Sequence, residues 1–172
     1  MKFLFAVLFL IFIGCGYKPI SALANSILDD EIWVDVIVSK IEPQNSLIIK
    51  DAIREGMKQR LGKDFAPKEL ANTKIIASIK SLEFSPMIYD AYGYASTYNA
   101  KLTLNYKITF KNGETKNFIA TGEHNFKAVR LMKNVRDTNS AINEKDKFNA
   151  ILKASNQAFD ELISKIAIES LI

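Results

Sequence analysis

The sequence predicts an α/β (α+β) two-layer sandwich in the order β-α-β-β-β-α, with a mixed four-stranded sheet and two helices packed on one of its faces. Three observations carry this expectation. Residues 100–111 alternate strictly, with Ala100, Leu102, Leu104, Tyr106, Ile108 and Phe110 set against Lys101, Thr103, Asn105, Lys107, Thr109 and Lys111, the period of a strand with one buried face. Ile49, Ile53, Met57 and Leu61 recur every four residues, and Phe148, Leu152, Ser155, Phe159, Leu162 and Ile166 every three or four, so each set forms one stripe along a helix. A sheet and two helices with one apolar face each bury those faces most economically as two layers.

Ahead of this domain the chain reads as an export signal. Lys2 supplies a positive n-region, and the apolar run 3–13 is too short to span a hydrocarbon core of ~30 Å at 1.5 Å per residue. Ile13-Gly14-Cys15 then reads as a lipobox, with a small residue before the only cysteine of the chain, whose thiol would take a diacylglyceryl group. The expected division is a signal peptide over 1–14, an acylated N-terminus and tether over 15–30, and a single domain over 31–172. Two acyl chains, each worth ~0.8 kcal/mol per buried CH₂, anchor stably where one chain is marginal. Gly16 after the cysteine favours the outer membrane in enteric-type sorting.

Within the domain, residues 32–38 read as a strand from their β-branched content and alternation. Pro43 and Ser46 are start signals for the first helix and Gly62 is its stop. Residues 75–84 read as a second strand, broken by Ser85-Pro86. After the clear strand 100–111 comes Lys111-Asn112-Gly113-Glu114, and parity decides the hairpin loop. A two-residue loop would turn the apolar set of the following strand outward. A three-residue loop over 111–113, with Gly113 left-handed, pairs Tyr106 with Phe118, Leu104 with Ala120, Leu102 with Gly122, Lys101 with Glu123 and Thr103 with Thr121. The last two are favourable cross-strand pairs. A polar loop over 128–143 leads into the final helix.

Composition excludes several functions. The 172 residues carry 23 basic and 19 acidic side chains, a net charge of +4, and the signs are interspersed, so there is no electrostatic case for nucleic acid. Once acylated, Cys15 leaves no thiol for a disulfide, a metal site or nucleophilic catalysis. His124 is the only histidine and falls on the core face of a strand beside Phe126. No paired carboxylates, phosphate loop or nucleophile elbow is recognisable, so the chain reads as a non-enzyme with no cofactor and no metal.

The stretch 86–98 is the most unusual. Asp90 and Gly93 are turn residues, and Tyr89, Tyr92, Tyr94 and Tyr98 cluster around them, which makes the stretch an aromatic hairpin tip. Tyrosine offers a large amphipathic contact at low entropic cost, so the rings either meet a partner or cover the open end of the protein's own core. Pro86-Met87-Ile88-Tyr89-Asp90-Ala91-Tyr92-Gly93 followed by Tyr98, together with Cys15-Gly16-Tyr17-Lys18-Pro19, resembles the lipopolysaccharide-assembly lipoproteins (LptE-like), and the order of elements agrees along the domain. The resemblance implies a lipid-anchored protein on the periplasmic side of the outer membrane or inside a barrel lumen. Its partner would be the LPS-transport β-barrel (LptD-like), whose assembly and LPS insertion it would assist, with Tyr89, Asp90, Tyr92, Gly93, Tyr94 and Tyr98 as barrel-contact candidates. Members of the family often carry a basic residue after the turn glycine or after the following tyrosine; here those positions are Tyr94 and Asn99. The basic candidates for LPS therefore move to the wet strand face, Lys101, Lys107 and Lys111, and to the loop with Arg130, Lys133 and Arg136. The alternative function is a membrane-tethered periplasmic regulator of a cell-envelope enzyme.

Overall fold

The computed structural model describes residues 19–39, 43–128 and 142–171. Among these the chain forms α1 (Ile20–Ile27), β1 (Glu31–Val36), α2 (Pro43–Leu61), β2 (Asp64–Phe65), β3 (Thr73–Tyr89), β4 (Ala95–Thr109), β5 (Thr115–Lys127) and α3 (Glu144–Glu169). The sheet order is β2-β1-β3-β4-β5. β1 runs parallel to β2 and β3, while β3, β4 and β5 form an antiparallel meander, so the sheet is mixed as expected.

Two elements correct the expected count, giving five strands and three helices where the sequence suggested four and two. β2 is a two-residue extension of the edge beside Glu31 and Ile32. α1 occupies half of the stretch expected as a tether, and its Ala24 and the following Leu28 are buried in the common core. An eight-residue helix is marginal on its own, so these contacts are what hold it. Asn25 Nδ2 donates to the Leu61 carbonyl at 3.1 Å, the Asp29 N–H donates to Thr73 Oγ1 at 2.9 Å, and Lys111 Nζ donates to the Ser26 carbonyl at 2.6 Å.

The β4–β5 hairpin follows the register derived from parity. Tyr106 faces Phe118, Leu104 faces Ala120, Leu102 faces Gly122 and Lys101 faces Glu123. The Phe110 N–H donates to the Glu114 carbonyl at 2.8 Å and closes the loop 111–113, with Gly113 at φ 83°. α2 ends at Gly62, whose φ of 63° suits only glycine without strain. Its Ile49, Ile53 and Met57 are fully buried in the same core as Ile75, Leu104, Tyr106 and Phe159.

α3 begins at a capped end: the Asp146 N–H donates to Asn143 Oδ1 at 2.8 Å, and Glu144 and Asp146 lie in the first turn. It packs directly on β5, because a Cβ on Gly122 would stand 1.9 Å from the Ala154 carbonyl oxygen. Side chains of α3 also cover the outer edge of β5. Glu161 accepts from the Thr121 N–H, Gln157 accepts from the Glu123 N–H, and Lys165 donates to the Ile119 carbonyl. That edge is therefore closed to strand addition.

β3 does not stop at Ser85-Pro86. It continues through Pro86 to Tyr89 with register shifts on both sides of Ile88. β1 ends opposite Ala77, so at Pro86 strand β3 has β4 on one side and no strand on the other. A proline at a bulge on such an edge costs the sheet no ladder bond. The first strand is also shorter at its end than the sequence suggested, stopping at Val36.

Candidate partner-binding surface

The aromatic stretch lies where the sheet runs out of support. β5 ends opposite Thr97, with one further bond from the Ala128 N–H to the Ser96 carbonyl, so beyond the Ile88–Thr97 pair only the two strands of the hairpin remain, with Tyr89 facing Ala95 in a two-stranded ribbon. Its turn has the same design as the β4–β5 loop. The Asp90 N–H donates to the Tyr94 carbonyl at 2.8 Å, and Gly93 takes φ 81°. Asp90 Oδ1 accepts from the N–H groups of both Tyr92 and Tyr94, each at 2.9 Å. Asp90 and Gly93 are thus occupied in shaping the turn.

The four tyrosines divide between the two roles open to them. Tyr98 stacks on Phe126 with ring centroids 6.1 Å apart, Phe126 meets Phe84 edge-on at 6.1 Å, and Lys147 Nζ sits 5.9 Å from the Phe84 ring. This inner cluster closes the end of the core, and Tyr94 is half-buried. Tyr89 and Tyr92 point to solvent, Tyr92 at 80% exposure, and with them Met87 and Ile88 are also more than half exposed. The sequence reading missed Met87 and Ile88 as surface residues. Their signal was the lapse of alternation after Pro86, where a strand with only one neighbour need not bury either face.

The basic candidates separate in the same way. Lys101 forms an ion pair with Glu123 at 2.9 Å, and this carboxylate raises its pKa. Lys107 is exposed on the open face of the sheet between Ile76 of β3 and Asn117 of β5. Lys111 does not join the row. It is the first residue of the hairpin loop, past the end of β4 at Thr109, and its ammonium reaches the Ser26 carbonyl in the last turn of α1, where the helix dipole favours a cation. Arg130, Lys133 and Arg136 lie outside the described residues, as does Cys15. His124 is half-buried, and burial together with nearby Lys153 lowers its pKa.

A second apolar depression, about 320 Å³, lies between the first turns of α2 and α3, lined by Leu47, Ile48, Phe148 and Leu152 with Gln44 and Asp51. Phe148, expected to begin the buried stripe of α3, is 48% exposed. No helix among the described residues is long and apolar enough to cross a membrane.

No protein-family profile and no curated protein sequence matches the chain. Solved structures do resemble it. A Caulobacter crescentus CB15 protein provisionally described as a lipoprotein aligns with a TM-score of 0.53 at 10% identity, over 87% of this chain and 93% of its own. Rare lipoprotein B from Shewanella oneidensis aligns with a TM-score of 0.51 at 13% identity, over 82% and 96%. A Xanthomonas campestris protein of the DUF330 family aligns with a TM-score of 0.52 at 12% identity, over 81% and 84%. At these identities what the chain shares with them is the fold, a mixed five-stranded sheet with its helices on one face.

Proposed function

We propose that the protein is an outer-membrane lipoprotein, anchored through Cys15, that docks its aromatic ribbon on the LPS-transport β-barrel and assists both the assembly of that barrel and the insertion of LPS at the cell surface. The observation that carries the reading is the ribbon. Met87, Ile88, Tyr89 and Tyr92 are exposed apolar and aromatic side chains at the end of the β3–β4 hairpin, past the end of β1 and at the limit of β5. Such residues are enriched at the centres of protein interfaces, and a rigid two-stranded ribbon loses little entropy on docking. The resemblance of the residues around Pro86 and Cys15 to the LPS-assembly lipoproteins supplies the identity of the partner, and the fold it shares with rare lipoprotein B is consistent with it.

The action is steric, and no chemical step is assigned to it. Lys107, on the open strand face, offers a point charge to the phosphates of lipid A. Gentle detergent extraction and purification of the native protein tests the reading. A large outer-membrane β-barrel protein should co-purify, and the paired substitution Met87→Ser with Tyr92→Ser should release it while the fold is retained. Recovery of a soluble periplasmic enzyme in its place would favour the regulator.

A further inference from the structure

We propose that the outer face of α1, together with the exposed end of α3 beside it, rests on the bilayer leaflet that holds the acyl chains, so that the domain is seated on the membrane in one orientation. The inference rests on the acylation of Cys15 in the reading above, and goes beyond it in naming the surface that meets lipid.

The reach of the chain comes first. Cys15 and Pro19 are four residues apart, which fully extended is at most ~14 Å. A single α-helix with its side chains is already about 10–12 Å across, so no folded partner fits between the start of α1 and the headgroups. α1 in turn cannot swing away from the domain, because Ala24 and Leu28 are buried in the core and three long-range hydrogen bonds, from Asn25, Asp29 and Lys111, tie it down. The anchor is therefore fixed to the body of the protein, and the surface around Ile20 is carried to the membrane with it.

That surface suits lipid. From Pro19 to Leu28 there is no charged residue. Ile20 lines a shallow depression with Ser21, Ile163 and Ser164, and the two charges there, Arg60 and Asp160, form an ion pair with each other. Four residues beyond Ser164 on the same stripe of α3 is Ile168, 60% exposed, and just past the end of the helix Leu171 is 69% exposed. Exposed isoleucine and leucine flanking a neutral helix form a face that enters a headgroup layer at little desolvation cost. The helices cover one face of the sheet, so this seating leaves the open face with Lys107 turned away from the lipid.

The test uses the full native lipoprotein in vesicles of phosphatidylethanolamine and phosphatidylglycerol. An environment-sensitive fluorophore is placed in turn at Ala22→Cys, Ile168→Cys and, on the open sheet face, Lys107→Cys, and is quenched by lipid carrying a nitroxide at the headgroup. Quenching at positions 22 and 168 should exceed that at position 107 several-fold. Equal quenching at all three positions in protein that floats with the vesicles would overturn the seating alone and leave the anchor standing. Protein that neither floats nor carries an acyl mass on Cys15 would overturn the anchor and the seating together.

Discussion

Under the proposed function, direct LPS binding turns on Lys107, because the other two lysines expected on its face are engaged elsewhere. Lys101 is paired with Glu123 and Lys111 holds the last turn of α1. Lys107→Glu should therefore weaken binding of LPS to the purified protein in a salt-dependent way, with unfolding free energy changed by less than about 1 kcal/mol, since an exposed charge contributes little to folding. Unchanged LPS affinity would remove the sheet face from the mechanism. Two of the carboxylates whose pKa the fold lowers contribute to the response to acid. The Lys50 ammonium, 2.7 Å from Asp35, holds that carboxyl below its ordinary pKa. Partial burial pushes Glu161 up, but Lys165 and the Thr121 N–H outweigh it and leave the pKa lowered. A group depressed in the folded state stabilises fully above its unfolded pKa and loses that contribution as pH falls through its folded value. The urea midpoint should thus decline as pH drops below about 4, and Glu161→Gln should make that decline shallower. Circular dichroism titrations at stepped pH read both outcomes, and a midpoint flat across that range would contradict them.

At the level of elements, the contact between α3 and β5 is the least forgiving in the molecule. A methyl group on Gly122 would lie 1.9 Å from the Ala154 carbonyl and 2.5 Å from the Ala158 nitrogen, both backbone atoms of α3 that no side-chain rotation can move. Gly122→Ala should cost at least about 2 kcal/mol in urea unfolding, by lifting the helix from the sheet. Gly56→Ala should cost less, because its nearest neighbour is the Phe159 ring, which can turn. The β4–β5 hairpin was the most legible part of the sequence. Alternation over 100–111 and the parity of the loop at Gly113 specify the hairpin register pair by pair, since a slip of one residue would expose every apolar side chain. What stayed hidden was decided by distant parts of the chain. α1 is short and uncharged and is held by Leu61, Thr73 and Lys111, none of them near it in sequence. β2 is two residues long, and Pro86 is tolerated only because β1 ends before reaching it. The aromatic tip was legible as a site from its tyrosines, whereas its split into an inner cluster on Phe126 and an outer set with Met87 and Ile88 depends on where β5 stops.

Taken whole, the molecule is a sheet with one covered face, one open face and a ribbon projecting from one end. In the proposed reading the three regions have three neighbours: the helix side the lipid leaflet, the open face LPS, and the ribbon a protein partner. The ribbon carries the functional reading, because Tyr92 is 80% exposed at the tip of a segment paired only with itself. A photo-crosslinking amino acid in place of Tyr92, introduced in living cells with the native anchor intact, tests that reading most directly. The account predicts one dominant adduct, to a large outer-membrane β-barrel protein, with a matching probe at Asn117 on the far end of the open sheet face giving none. An adduct from Tyr92 to a soluble periplasmic enzyme, or no adduct from Tyr92 in cells where the protein is folded and acylated, would contradict it.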